Sequence, residues 1–191
     1  MRITILNGDP DPASEFQQYL HKIAGRLAGA GHQVDTLKLR ELDLKGCSGC
    51  FGCWVNTPGE CVKRDDSATI CRAAIASDLL VLASPLVMGF TTALLKRAAD
   101  QMVPLVHPYF VAEGGEAHHR ARYAKYPDFG LLLGAGPDAD AEDIEITTAM
   151  WRRMARNIKS RLVFTAVLDH VANRTAEEVA DEIAPAVERV A

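Results

Sequence analysis

Leu79-Leu80-Val81-Leu82-Ala83-Ser84-Pro85-Leu86-Val87-Met88-Gly89-Phe90 is the stretch on which the fold turns. Its first five residues are an unbroken apolar run, the signature of a strand covered on both faces. The Ser-Pro step then opens a loop over Ser84 to Phe90, and Thr91 to Met102 returns to helical period. A buried strand, a loop of small residues and a helix form the repeating unit of a parallel sheet with crossover helices.

The same unit repeats in both directions. Towards the N-terminus, Ile3 to Leu6 is an apolar strand, and a helix from about Ala13 carries Phe16, Leu20, Ile23 and Leu27 at helical spacing. Val34 to Leu39 mixes Asp35 and Lys38 with apolar residues, as a half-exposed edge strand does. Ser67 to Ala76 reads as a short helix before the central strand. Towards the C-terminus come a strand at Gly130 to Leu133, a helix striped by Ile144, Trp151, Met154 and Ile158, and a strand at Leu162 to Leu168. The last helix opens on Thr175-Ala176-Glu177-Glu178, a capping box, with Pro185 expected to bend it. Five such units imply an α/β, flavodoxin-like, doubly wound five-stranded parallel sheet of order 2-1-3-4-5 with helices on both faces. Residues 1–191 read as one domain, with a cysteine-rich loop at 46–66 and a long irregular insertion at 104–128.

Composition narrows the function. The chain has 191 residues, a formal charge of -4 and 48% hydrophobic residues, so nucleic acid is excluded as a general partner and no apolar run reaches a membrane span. Met1 to Leu6 enters directly as a strand without the pattern of a secretory leader, which places the expectation in the cytoplasm. A chain of this size needs neither disulfides nor a metal to fold.

Ligands of doubly wound sheets bind beyond the carboxyl ends of the strands at the switch point. That points to Asn7 to Ser14, Ser84 to Phe90 and Gly134 to Asp140. The first loop ends at a helix start, where amides can hold a phosphate. It is neither the dinucleotide fingerprint nor a Walker loop. Asp11 or Ser14 could equally cap the helix, and Asp9 and Asp11 would repel a dianion unless their carboxylates turn away.

Gly8, Pro10, Asp11, Pro12 and Ser14, together with Ser84-Pro85, Gly89, Lys96 and Asp100, resemble the flavodoxin-like NAD(P)H-dependent FMN reductases and quinone reductases. Asp9, and Glu15-Phe16, depart from the usual pattern of that family. The resemblance implies FMN as cofactor and NAD(P)H as electron donor. It implies Asp9, Asp11, Ser14, Phe16, Pro85, Leu86, Val87, Met88, Gly89, Gly134 and Gly136 as cofactor-binding positions. A quinone, flavin or other small acceptor, and a homodimer or homotetramer, are implied with them. No side chain is singled out as a catalytic acid or base, because the cofactor carries the chemistry. A flavodoxin-like binding or regulatory domain without flavin is the alternative from another class.

Cys47, Cys50 and Cys53 form a compact triplet and Cys61 follows. Three thiolates at this spacing and a distal fourth can ligate a 4Fe-4S cluster, whereas zinc favours two separated knuckles. The segment resembles that of the iron-sulfur flavoproteins, which implies an electron carrier with a redox protein as partner. Gly49 to Trp54 with Thr57 to Cys61 also resembles flavin reductases that need no cluster, and both readings stay open. Cys71, on a helix, reads as a core residue. The 104–128 insertion, with Tyr109, Phe110, Tyr123 and Tyr126, is expected to cover the flavin or build a dimer contact, and His118-His119 to be solvated loop histidines.

Overall fold

The computed structural model describes residues 1–169 and 175–190. In chain order the elements are β1 (Arg2–Asn7), α1 (Glu15–Gly29), β2 (Gln33–Lys38), α2 (Gly52–Val55), α3 (Ser67–Ala76), β3 (Leu79–Val87), β4 (Phe90–Thr91), α4 (Ala93–Asp100), β5 (Val106–Glu113), β6 (Glu116–Ala121), β7 (Asp128–Ala135), α5 (Ala141–Asn157), β8 (Leu162–Asp169) and α6 (Ala176–Glu188). Five strands pair in parallel in the order β2-β1-β3-β7-β8, which is the 2-1-3-4-5 arrangement. The chain reverses its direction of winding between β1 and β3.

The period-2 alternation of each central strand feeds two separate cores. Leu80, Leu82, Leu131 and Leu133 point to one face and pack with Leu95, Trp151 and Ala155. Leu79, Val81 and Leu132 point to the other and pack with Phe16, Ile23, Val179 and Ile183. Because both faces are covered, β1, β3 and β7 carry the apolar runs seen in the sequence. Edge strand β2 is mostly exposed, with only Val34 and Leu37 half-buried. Helix starts are set by side chains: Ser14 caps α1, Thr92 caps α4, and Asp140 and Thr175 form capping boxes on α5 and α6. Pro185 lies inside α6 without ending it.

Two segments differ from the sequence expectation. The central strand does not stop at Ala83. It continues to Val87 and folds back as β4, with Leu86 opposite Thr91 and Val87 opposite Phe90, so the loop shrinks to the Met88-Gly89 turn. The stretch 104–128 is not irregular: β5 and β6 pair as an antiparallel hairpin across Gly114-Gly115. Both glycines have positive φ, 58° and 80°, as a tight hairpin turn requires. That Gly-Gly step between an aromatic run and a second run was the available signal.

Candidate functional site

The loop after β1 is built from short-range hydrogen bonds. The Asp9 amide donates to Asn7 Oδ1 at 2.9 Å, the Asp11 amide to Asp9 Oδ1 at 3.0 Å and the Ala13 amide to Asp11 Oδ1 at 2.9 Å. The Ser14 hydroxyl donates to Asp9 Oδ2, and its oxygen accepts from the Gln17 amide at 2.9 Å. Asp9 is 2% exposed. Arg40, remote in sequence, reaches in: its Nη1 donates to the Asp9 carbonyl at 3.2 Å and to Gln17 Oε1 at 3.1 Å. Asn7 Nδ2 also donates to Gln17 Oε1, at 2.7 Å. Arg40 and Gln17 carried no local signal, because their part in this loop depends on the packing of β2 beside β1.

The first and second loops are stitched together. The Gly8 amide donates to the Ala83 carbonyl at 2.8 Å, and the Thr92 hydroxyl donates to the Gly8 carbonyl at 2.6 Å. A Cβ on Gly8 would lie 2.8 Å from Leu95 Cβ, so only glycine permits this approach. Ser84 Oγ accepts from the Thr92 amide at 2.9 Å. Thr147 on α5 donates to the Gly89 carbonyl at 3.1 Å and braces the turn from the far side.

Phe16 in the first turn of α1, Pro85 in β3 and Gly134 in β7 meet at the carboxyl edge of the sheet. A Cβ on Gly134 would fall 2.7 Å from the Phe16 ring and 3.3 Å from Pro85 Cα. Phe16 itself is core, and Leu86 is half-buried against the opposite core. Val87 and Met88 stand out instead, 53% and 100% exposed. Met88 adopts φ 52°, a left-handed backbone that costs an L-residue roughly 1 kcal/mol or more. Met88 is thus an apolar side chain presented to solvent on a strained turn beyond the carboxyl end of β3. Gly136 borders open space beyond β7.

The cysteine segment is arranged differently. Cys47 and Cys50 are exposed, while Cys53 and Cys61 are half-buried. All four border a cavity of about 120 Å³ together with Lys63 and Gln101. The Gly52 amide at the start of α2, and then the Ser48 hydroxyl, hold the Cys50 thiol below its ordinary range. Burial, and then the neighbouring Cys61 and Cys47, push Cys53 up. Cys71 lies buried, with its thiol pushed up to about 12 by burial, and donates to the Gln101 carbonyl at 3.4 Å.

The expectation that Cys47, Cys50, Cys53 and Cys61 hold a 4Fe-4S cluster is overturned. Among the described residues no group of three or more His, Cys, Asp or Glu side chains is placed to hold a metal ion. Sharing a cavity wall is not convergence: Cys47 and Cys50 are open to solvent while Cys53 and Cys61 are half-buried, and Lys63 adds a cation beside the thiols.

The paired histidines also differ from expectation. His118 is buried, with Nε2 3.0 Å from Glu116, and His119 lies between Trp54 and Phe110 at centroid distances of 5.0 and 4.7 Å. Phe51 stacks on Trp54 in turn, so an aromatic ladder joins the cysteine segment to the hairpin. Among the described residues no helix is long and apolar enough to cross a membrane.

The model of the NADPH-dependent FMN reductase family matches residues 1–125. An iron-sulfur flavoprotein of Archaeoglobus fulgidus is 30% identical over 107 residues, which is 56% of this chain and 48% of that protein. The chain spans about half the length of the curated relatives it matches. Among solved structures, an NAD(P)H:quinone oxidoreductase from Methanothermobacter marburgensis superposes with a TM-score of 0.67 at 19% identity, over 100% of this chain and 95% of that one. An FMN-dependent NADH-azoreductase from Bacillus anthracis, in complex with FMN, gives 0.63 at 14% identity, over 100% and 96%. At these identities the two structures support the fold.

Proposed function

The chain belongs to the NADPH-dependent FMN reductase family, and from that premise we propose that it is an FMN-dependent oxidoreductase moving electrons from NAD(P)H, or from a protein donor, to a quinone, a flavin or another small acceptor. The observation that carries this reading is the meeting of the loop after β1 with the carboxyl ends of β3 and β7, at the end of the sheet that bears the exposed, strained Met88 turn. The residues fit a flavin best at its ring end, where Val87 and Met88 offer apolar surface and the Met88-Gly89 backbone is braced by Thr147. Asp11, Ser14 and the start of α1 would lie towards the phosphate, with Arg40 as the nearby cation. When bound, FMN supplies the electron-carrying chemistry that side chains lack. The protein's own residues position and orient: Gly8, Ser84 and Thr92 lock the first two loops to each other, and Phe16 and Gly134 close the floor beneath them.

Residues 1–191 are taken as one domain acting in the cytoplasm as a homodimer or homotetramer. Tyr109 and Phe110, large and exposed on the hairpin, support an interface there. Titration of the purified protein with FMN, followed by NAD(P)H oxidation in the presence of a benzoquinone, tests the reading. Quenched flavin fluorescence and acceptor-dependent oxidation are expected. No binding at micromolar FMN would favour a flavin-free regulatory domain.

A further inference from the structure

A phosphate at the start of α1 needs N–H and O–H donors, and the loop's own carboxylates already hold three of them. Asp9 takes the Asp11 amide and the Ser14 hydroxyl, and Asp11 takes the Ala13 amide. Ser14 has a second duty as the cap of α1. Asp9 is buried, so bulk water screens its charge poorly. A second anion brought beside such a carboxylate meets a repulsion that grows as the surrounding dielectric falls. Arg40 offsets part of this, but its Nη1 is already engaged by the Asp9 carbonyl and Gln17.

We propose that Asp9, seconded by Asp11, is a built-in anion competing with the flavin phosphate, so that the phosphate adds no affinity and FMN is an exchangeable ligand held no more tightly than riboflavin. The proposal rests on the flavin reading given above. It makes Asp9 a specificity-determining residue: recognition falls on the ring and ribityl chain, and the phosphate enters only by displacing a carboxylate from Ser14 and the Asp11 amide.

Fluorescence-quench titrations of the full chain with FMN and with riboflavin, in wild type, Asp9→Asn and Asp11→Asn, test this. Each variant is checked by its melting temperature. In wild type, riboflavin should bind as tightly as FMN or more tightly. Asp9→Asn should tighten FMN by about tenfold, the equivalent of about 1.4 kcal/mol, and leave riboflavin unchanged. Asp11 is exposed and its amide isostere keeps an acceptor for Ala13, so Asp11→Asn should shift the ratio the same way by less. FMN binding wild type roughly tenfold more tightly than riboflavin would overturn the proposal while leaving the flavin site standing. An unchanged ratio in folded Asp9→Asn would do the same, as would an unchanged ratio in Asp11→Asn should Asp9→Asn fail to fold. Binding of neither flavin would instead remove the flavin reading, and the proposal with it.

Discussion

The loops Asn7 to Ser14 and Cys47 to Cys61 both follow strands of the same sheet, β1 and β2, yet they treat their polar groups in opposite ways. In the first, Asp9 is buried and each of its carboxylate oxygens accepts a bond from within seven residues of Asn7. In the second, Cys47 and Cys50 stay exposed, and the groups around the cavity, Lys63 and Gln101, come from further along the chain. A buried polar group must find its partners at once, which makes the first loop rigid and locally determined. Exposed thiols have water as a partner, so their loop is held by other residues, in its middle by Trp54, whose Nε1 donates to the Val106 carbonyl at 2.9 Å, and at its ends by a carboxylate. Asp65 does that holding: its carboxylate accepts from the Lys45 amide at 3.0 Å and the Ser67 amide at 3.0 Å.

The contrast breaks most readily at Asp9. Asp9→Ala leaves the Asp11 amide and Ser14 hydroxyl without their acceptor, and should cost about 2 to 3 kcal/mol in urea unfolding. A loss no greater than that of an exposed-site substitution would mean that water replaces the carboxylate freely, and the two loops would not differ. Next in size is Asp65→Asn, expected to cost on the order of 1 kcal/mol at pH 7. Burial pushes the Asp65 carboxyl up, but the Ser67 hydroxyl, close by without completing a hydrogen bond, and the amides of Lys45 and Ser67 hold it below the ordinary carboxylate range. Its stabilising effect is therefore present above the ordinary carboxylate pKa and is lost as pH falls through the lowered folded value. The difference between wild type and Asp65→Asn should shrink over that acid range. A pH-independent difference would show that the charge of Asp65 is irrelevant to pinning the segment.

Smaller, and of opposite sign, is Met88→Asn. Asparagine tolerates the left-handed backbone better, so stability should rise by about 0.5 to 1 kcal/mol while flavin affinity falls. A stabilised variant with unaltered flavin binding would remove Met88 from the site. Smallest in stability terms is Cys50→Ser, which should leave the unfolding midpoint where it is. The informative readout there is iodoacetamide labelling at neutral pH, since a lowered thiol pKa means more thiolate. Cys50 should react before Cys53, and Cys71 should remain unlabelled until the protein unfolds. Equal rates at Cys50 and Cys53 would show that the Gly52 amide does not stabilise the thiolate.

The pattern of strands and helices was legible because burial on both faces writes itself as unbroken apolar runs, as at Leu79 to Ala83. The caps at Ser14 and Thr175 were legible because a cap is a contact across three residues. The hairpin over 104–128 was missed, although Gly114-Gly115 announces it, since histidines and charges interrupt the alternation in β6. His118 shows why composition misleads there: a histidine two residues from Glu116 on a strand shares a face with it, and packing buried the imidazole while Glu116 stays half-exposed.

What the sequence alone determined is therefore everything that depends on residues within a few positions of each other: the strand and helix units, the caps, and the acidic character of the first loop. The five-stranded order followed from counting those units. Only the tertiary structure decided what distant residues do together. It brought Arg40 and Thr92 to the first loop, extended β3 into the Met88 turn, and set Cys47, Cys50, Cys53 and Cys61 around a cavity without converging them on a metal. Spacing limits which side chains can approach one another, but their final directions are set by the backbone and by competing hydrogen bonds, as at Asp9. Those directions, and with them the chemistry, belong to the folded chain.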